Sequence, residues 1–414
     1  MGMCITPRSR YAAGQALAEA DVAVTNLAVT NPNLAVTPAT SAPMHRPKLF
    51  LFAITAAASL AAPIDSAIAE DKIAFQTYKY VERGGRIKVV ASDIAVEKDF
   101  GTDLTVNVDV GVDTISGATP AWRPKPGYVN EYVSGLAKYQ DEVRNSMRAG
   151  ALWRDAKRNE YSVGFALSRE PDFYSRELSA QVALWQDEKH NRSYIVGASF
   201  QLNTNIANQF TNNPDNETNR VINIQAGVNQ VIDSTSSVEA SVYTLRSRGY
   251  LSHDYLKIVR DNGAGANILA PDSRPGARNA GGVSVRWIKS WSDDLKTNLW
   301  FRNYSDTWGV RGNTIEAKAY YSLSEKWRLN PVVRYHQQQG ANFYRAYGAP
   351  VNTFAATGFG TNDARQGPMK AVTVQLNTEY RASKAWAINT GVVHYKQDSG
   401  LKVNWVTLGF VYKY

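Results

Sequence analysis

The chain has 414 residues, a formal net charge of +9 at pH 7 and a mean hydropathy of −0.36. This average is too polar for a protein built from apolar membrane helices, but it is expected of a transmembrane β-barrel, in which every second strand residue faces a polar lumen. The single cysteine, Cys4, precedes every predicted element, which excludes disulfides, thiolate metal sites and cysteine nucleophiles from the rest of the chain.

The first predicted element is a secretory signal peptide over residues 44–69. A short basic region precedes the apolar run Leu49–Ala62, and Ala67 and Ala69 form a small-x-small cleavage site. The apolar run is shorter than the roughly 20 residues that a membrane-spanning helix needs. We therefore expect cleavage after Ala69.

Residues 1–43 are interpreted as a non-native or disordered extension. They are rich in Ala, Val, Thr and Asn, and they precede Met44, where we expect translation to begin. The alternative is a disordered extension that is translated. The mature domain is then 70–414, predicted to be an outer-membrane β-barrel.

Alternation of apolar and polar residues dominates the mature chain. In the clearest segment, the aliphatic residues from Leu104 to Val112 alternate with polar residues, as in a strand with one face toward lipid and the other toward a lumen. Most segments have about ten residues, the length that a tilted strand needs to cross a membrane. Sixteen strands are predicted, near 73–82, 86–96, 103–113, 142–153, 159–168, 175–186, 193–203, 219–230, 236–246, 281–289, 294–304, 311–323, 327–337, 369–381, 386–396 and 402–414. The first has the weakest alternation, so fourteen strands is the alternative.

Loop lengths predict the orientation of this all-β antiparallel barrel. The long connections, 114–141, 204–218, 247–280 and 338–368, each follow an odd-numbered predicted strand. Bacterial barrels place long loops outside the cell and short turns in the periplasm. Both termini are therefore expected to be periplasmic, which requires an even number of strands.

The polar strand faces carry many charges, and this argues against a soluble β-sandwich, whose inward positions are rarely polar. We interpret these charged positions as the lining of a lumen in the outer membrane. The candidate lining residues are Arg144, Arg148, Glu177, Glu239, Glu316, Lys318, Arg334, His336 and Glu379.

The last strand has one continuous apolar face that ends on an aromatic residue. This face consists of Val406, Leu408, Phe410, Tyr412 and Tyr414. Such an ending resembles the terminal strand of bacterial outer-membrane barrels, which the barrel-assembly machinery reads. An exposed edge strand with this face would promote aggregation in a soluble protein.

The other predicted contacts are with outer-membrane lipid and lipopolysaccharide. Basic residues at the rims suit lipopolysaccharide phosphates, while nucleic acid is not expected, because the positive charges are spread along the strands and turns. Tryptophans near strand ends are predicted to lie at the membrane interface. These are Trp153, Trp185, Trp300, Trp327 and Trp386.

A candidate functional loop follows the third strand. Its key residues are Asp113, Ser116, Gly117 and Thr119. The favoured interpretation is a tight turn, because Gly117 allows positive φ and the hydroxyl and carboxyl groups can bond to nearby backbone. The alternative is a loop that folds into the lumen or binds a ligand.

No catalytic or metal site is predicted, so the protein is not expected to be an enzyme or to hold a cofactor. There is no Gly-x-Ser-x-Gly element. Of the mature histidines only His336 is predicted to face inward, and we interpret it as a hydrogen-bonded lumen residue rather than a general base. The segment Asn212–Glu217 has oxygen ligands for calcium but lacks the spacing of an EF-hand, which favours a solvated turn.

Two segments carry a family resemblance. They are the run Asp113–Pro120 and the pair Gly249–Ser252 and Pro271–Arg274. Together with the length, they resemble an uncharacterised bacterial family catalogued as domain of unknown function 3570, whose members are predicted outer-membrane proteins. That family usually has Ser-Gly-Ala-Ser-Pro where this chain has Thr119, which keeps the hydroxyl. The resemblance implies no known activity, and the setting of its members, similar to exported redox and flavin-attachment proteins, suggests a periplasmic partner.

The sequence thus predicts a porin-like channel or solute-binding barrel, in which lumen Arg and Glu set size and charge selectivity. Two alternatives remain open. One is a structural or adaptor barrel for an exported periplasmic redox partner, and the other is an outer-membrane barrel enzyme.

Overall fold

The computed structural model describes residues 71–83, 87–117, 140–206, 216–254, 256–264, 266–346 and 353–414. These contain eighteen strands and a 3-10 turn, Ala364–Gln366. Sixteen strands form one closed antiparallel barrel, and the other two, β10 and β11, form a hairpin within a long loop. The predicted extension and signal peptide lie outside the described residues. No helix in the described part of the chain is long and apolar enough to cross a membrane.

The barrel strands confirm all sixteen predicted segments. Most extend further toward the long loops than the alternation indicated, because pairing with both neighbours continues beyond the apolar positions. The strands are β1 Lys72–Glu82, β2 Ile87–Phe100, β3 Leu104–Gly117, β4 Gln140–Arg154, β5 Glu160–Arg169, β6 Phe173–Trp185, β7 Arg192–Asn205, β8 Glu217–Asp233, β9 Ser236–Gly249, β10 Lys257–Asp261, β11 Asn267–Pro271, β12 Ala277–Ser290, β13 Leu295–Asp306, β14 Arg311–Ser322, β15 Trp327–Gln339, β16 Met369–Arg381, β17 Trp386–Gln397 and β18 Lys402–Lys413.

The first and last strands close the barrel. β1 pairs with β18 from Lys72 opposite Lys413 to Glu82 opposite Val403, and its other edge pairs with β2. The alternative of fourteen strands is therefore excluded. Alternation in β1 is weak because Tyr78 and Tyr80 lie on its inward face, where the sequence argument expected polar residues.

Inward and outward positions alternate along the strands, with a register shift in β8 between Val231 and Asp233. In β7, Ser199 and Gln201 face inward and are buried, while Val196 and Phe200 point outward and are 51% and 40% exposed. Comparable apolar side chains surround the barrel, among them Leu178, Ile224, Val333 and Val374. A belt of this kind is far larger than the apolar patches of soluble monomers, and it is the surface that lipid covers in membrane barrels.

The two ends of the barrel differ. One end, the turn end, has short turns together with the first and last described residues, Asp71 and Tyr414, and the other, the loop end, carries the long connections. Outward aromatic pairs lie near the turn end, with ring centroids 5.1 Å apart for Trp153 and Tyr161, and 4.6 Å apart for Trp386 and Tyr412. Trp327 pairs similarly with an outward tyrosine. This arrangement suits a membrane interface.

Two of the five tryptophans predicted as interfacial anchors lie on the inward face instead. Trp300 is buried and donates from Nε1 to Ser284 Oγ at 2.7 Å. Trp185 stacks on His190 at the turn end and donates to the carbonyl of Arg158. Proximity to a strand end, used in the prediction, does not determine which face a side chain occupies.

We expect an introduced charge to destabilise the folded barrel on the outward face of β18 but not on the inward face of β17. Leu408→Arg places a guanidinium at a 39% exposed apolar position. It should lower the stability of the folded barrel by about 2–4 kcal/mol, because burying charge in the hydrocarbon layer is costly. Denaturant unfolding in lipid vesicles measures the difference.

The matched control for this variant is Asn389→Arg, since Asn389 faces inward and pairs with Gly409, the residue next to Leu408. It should fold nearly as well as the parent protein. Equal tolerance of the two arginines would contradict a lipid-covered exterior.

Candidate functional site: the lumen and its roof

The structure places all nine candidate lining residues on the inward face. Arg144, Glu177, Glu239, His336 and Glu379 are buried, and Arg148, Glu316, Lys318 and Arg334 are half-buried. Neighbouring strands bring several of them together. Arg334 Nε donates to Glu316 Oε2 at 2.9 Å, and the Nζ of Lys318 lies 3.9 Å from the same carboxylate.

Arginine and aromatic side chains alternate over the wall formed by β9 and β12–β15. The guanidinium of Arg302 lies 4.8 Å from the ring centroid of Tyr243, and its Nε donates to the tyrosine hydroxyl at 2.9 Å. The Tyr243 hydroxyl in turn donates to the backbone carbonyl of Asn303, and this bond passes over Gly282. A Cβ at position 282 would lie 1.9 Å from that carbonyl oxygen. Glycine is therefore required at 282 for the tyrosine to hold Arg302 in place.

Carboxylates concentrate on the wall formed by β2 and β3. The side chain of Asp93 lies over Gly111, where a Cβ would be 2.3 Å from its Oδ1. Asp99 accepts from Thr105 Oγ1 at 2.5 Å, and Glu97 pairs with Lys72. Asp113, near the loop end of the same wall, is bonded to Arg144.

Charge is divided unevenly around the lumen. We define the acidic half as β1–β9 and the basic half as β12–β18. The inward ionisable side chains that the structure describes in the acidic half are ten acids and four bases: Glu82, Asp93, Glu97, Asp99, Asp109, Asp113, Glu160, Glu177, Glu217, Glu239, Lys72, Arg144, Arg148 and Arg154. Those in the basic half are nine bases and three acids: Arg278, Arg286, Lys296, Arg302, Lys318, Arg328, Arg334, Arg381, Lys413, Asp306, Glu316 and Glu379.

One sector of the lumen wall is apolar, contrary to the expectation of a polar lining throughout. Inward residues of β1, β2 and β16–β18 form a cluster in which Tyr80 and Trp405 have ring centroids 6.2 Å apart. The tyrosines keep their hydroxyls bonded, Tyr80 to Glu82 and Tyr395 to Gln397. This sector is where the barrel closes.

The candidate functional loop is only partly a loop. Ser116 and Gly117 belong to β3, pairing with β4 at Asp141 and Gln140 and with β2 on the other side. The predicted tight turn at these two positions is therefore wrong, because backbone pairing continues past the apolar residues of the strand. Thr119 lies outside the described residues.

Two long loops pack together at the loop end, and we call their described residues in 250–276 and 340–368 the roof. Ser273 and Gly360 exchange backbone hydrogen bonds of 3.1 and 2.8 Å. These bonds form a short antiparallel bridge between the two loops. Arg274, fully buried, donates from Nε to Asp272 Oδ2 at 2.7 Å and from Nη2 to Asp363 Oδ2 at 2.9 Å. The guanidinium of Arg274 thus bridges the two loops, in addition to their backbone bonds and those of Arg260 to the carbonyls of Ala355 and Gly358.

Inward side chains of the barrel wall hold the roof at both sides. Asn205 of β7 donates to Asp254 at 2.6 Å. Gln338 of β15 donates to the carbonyls of Arg365 and Gly367 at 2.9 and 2.8 Å. Five barrel strands separate β7 from β15, so the roof reaches over the lumen between them.

Burial shifts the ionisation of several roof groups. Burial lowers the pKa of His253 well below its ordinary value, with Arg365 adding to the effect. Burial acts to raise the pKa of Asp363, but the charges of Arg365 and Arg274 outweigh it and leave that pKa low. Burial raises the pKa of Asp254 to about 6. The roof therefore holds ionised Asp363 between two arginines beside a neutral histidine.

The sequence patterns did not predict the ion-pair cluster of Arg274, Asp272 and Asp363. Ser252 and Asp272–Arg274 nevertheless lie in the two segments that carry the family resemblance. The backbone N–H of Arg274 donates to Ser252 Oγ at 3.0 Å, and that of His253 donates to Asp272. A charged Asp-x-Arg motif inside a long loop is a usable signal. Its partner Asp363 is too distant in sequence to be assigned without the fold.

Three of the described histidines lie outside the roof. His336 bonds through Nδ1 to Thr314 at 2.9 Å and through Nε2 to Gln338 at 3.2 Å. His190 lies in a turn, and His394 is exposed beside Asn404. Within the described residues no group of three or more His, Cys, Asp or Glu is placed to hold a metal.

The predicted terminal face lies on the outside of the barrel. Val406, Leu408, Phe410 and Tyr414 are 38–55% exposed, and Phe410 stacks on outward Phe75 of β1. The two strands that close the barrel thus share one continuous apolar outer surface.

Three solved structures illustrate what this chain is similar to in fold. The CymD monoaromatic hydrocarbon channel is 8% identical, with 84% of this chain and 89% of that chain covered at a TM-score of 0.42. A bacterial polysaccharide outer membrane secretin is 8% identical, with 84% and 100% covered at 0.46. CdiB from Acinetobacter baumannii is 8% identical, with 84% and 61% covered at 0.47, so the chain spans less than two thirds of CdiB.

Comparison with curated proteins gave no match. A family model agrees with the resemblance seen in the loop segments. It is described as Protein of unknown function (DUF3570) and matches residues 39–409, so the chain belongs to this family.

Proposed function

We propose that the protein is an outer-membrane pore for small hydrophilic solutes, with both termini in the periplasm and the roof facing outward. The observation that carries the proposal is a closed sixteen-stranded cylinder with an inward face of charged and amide side chains. Barrels of about 16 strands are wide enough for an aqueous channel, whereas about eight strands are filled by their own side chains.

Burial along the lumen supports a passage that narrows toward the roof. In β8, the inward residues near the loop end, Asn219 and Asn223, are 3% and 1% exposed. Nearer the turn end, Gly227 and Asn229 are half-buried. The proposed passage is therefore wide at the turn end and limited by the roof. It needs no catalytic group, and His336 with its two hydrogen-bond partners is part of the lining.

Ion selectivity should be weak in the parent protein, because the described inward bases of the two halves balance the acids. Asp93→Asn with Asp99→Asn removes two negative charges and should make the pore prefer anions. Lys296→Gln with Lys318→Gln removes two positive charges and should make it prefer cations. The expected change in permeability ratio is about two- to fivefold in each direction. The reversal potential across a planar bilayer under a salt gradient, at about pH 8.5 so that the carboxylates are ionised, measures it.

A matched control removes one charge of each sign from an exposed turn, Glu188→Gln with Lys189→Gln. It should leave the reversal potential unchanged. The pore proposal fails if folded, reconstituted protein gives no stepwise current, including in the roof variant described next.

Removing the arginine that joins the two roof loops should open the passage. Arg274→Ala leaves Asp272 and Asp363 buried without this partner, and breaking such a pair costs roughly 3–5 kcal/mol. Because the bonds of Arg274 lie within the roof rather than between barrel strands, we expect local loosening rather than loss of the barrel. The expected results are a larger single-channel conductance and faster protease cleavage within the roof.

Arg345→Ala is the control, since Arg345 lies in the other roof loop and is exposed. It should change neither conductance nor cleavage. Unchanged conductance in a cleavable Arg274→Ala protein would mean that the roof does not limit the passage.

A further inference from the structure

The two charged halves of the lumen face each other. In a closed barrel of sixteen strands, each strand lies opposite the one eight places further round. By the barrel order, β2 lies opposite β12 and β3 lies opposite β13. Asp93, Asp99 and Asp109 therefore lie across the lumen from Arg286, Lys296 and Arg302.

Local ion pairs do not remove this separation. Each acid of the basic half has a base of the same half beside it, with Asp306 paired to Arg278, Glu316 to Arg334, and Glu379 to Arg328 and Arg381. In the acidic half, Lys72, Arg144 and Arg154 pair with acids of that half. Each half therefore keeps an excess of six charges of its own sign among the described inward side chains. Glu239 pairs with Arg286 across the β9–β12 seam between the halves.

Charges of opposite sign on facing walls produce an electric field across the passage rather than along it. Low-dielectric barrel walls concentrate such a field in the lumen. For a single ion, the favourable electrostatic energy at one wall is offset by the unfavourable energy at the other. A solute with a positive and a negative group interacts favourably with both walls when it aligns with the field. Its cationic end then points toward β2 and β3, and its anionic end points toward β12 and β13.

We propose that the pore selects zwitterions of amino-acid size over uncharged solutes of equal size. This inference rests on the proposed pore function and names its solute class. The half-buried carboxylate of Asp93 and the half-buried ammonium groups of Lys296 and Lys318 are accessible enough to contribute. Alignment in the field offsets part of the cost of stripping water from the two charged ends of the solute.

The test compares alanine with lactamide, which have the same atomic composition but differ in charge. Liposomes containing the full protein are placed in each solute, and the swelling rate reports entry. We expect alanine to enter about threefold faster than lactamide, because only alanine aligns in the field. Empty liposomes give the background rate for each solute.

The decisive variant combines Asp93→Asn, Asp99→Asn, Lys296→Gln and Lys318→Gln. It removes two charges from each half of the lumen, with Lys318 on β14 next to β13, so the lumen stays balanced while the field weakens. Its reversal potential should match the parent, and the ratio of alanine to lactamide entry should fall toward one. The exposed-turn control, Glu188→Gln with Lys189→Gln, should retain the parental ratio.

The outcomes separate the two proposals. No entry of either solute, together with no current, contradicts the pore itself. Entry of both solutes at equal rates in the parent contradicts only the selection of zwitterions. A parental preference that persists in a folded fourfold variant also overturns it, since the walls named here would not be its source. Heat-dependent gel mobility before and after boiling verifies folding of each variant.

Discussion

Closure of the sheet by β1 and β18 is the constraint on which the rest of the structure depends. A backbone that crosses lipid must bond all its N–H and C=O groups internally, because each unsatisfied group costs several kcal/mol there. The pairing from Lys72 to Glu82 leaves no open edge. Once the cylinder is closed, the alternation of side chains assigns every strand residue either to lipid or to the lumen.

This assignment explains how so polar a chain presents an apolar exterior. Outward positions such as Val333 and Phe200 are exposed hydrophobics, while the residues next to them line the interior. Closure also places the strands around the circumference of the barrel in their order along the chain. Strands from the first and second halves of the chain are brought face to face, so carboxylates of β2 and β3 lie across from the arginines and the lysine of β12 and β13.

The roof adds a second organisation that the barrel alone does not require. Its two loops are far apart in sequence, yet Arg274 joins Asp272 to Asp363 in a site with no solvent exposure at the guanidinium. Buried charges are tolerated when they are paired and hydrogen-bonded. The proposed narrowing of the passage therefore depends on loop residues, and the proposed solute preference depends on strand residues.

The sequence by itself determined the fold class, the sixteen strands and the lining residues, because a period of two is a local property that lipid and lumen enforce at each position. It misplaced Trp300, Ser116 and Gly117, since nearness to a strand end specifies neither a face nor the length of pairing. The opposition of the charged walls and the Arg274–Asp363 contact were decided only by the tertiary structure. Both join residues that are distant along the chain, and only closure of the barrel fixes which of them meet.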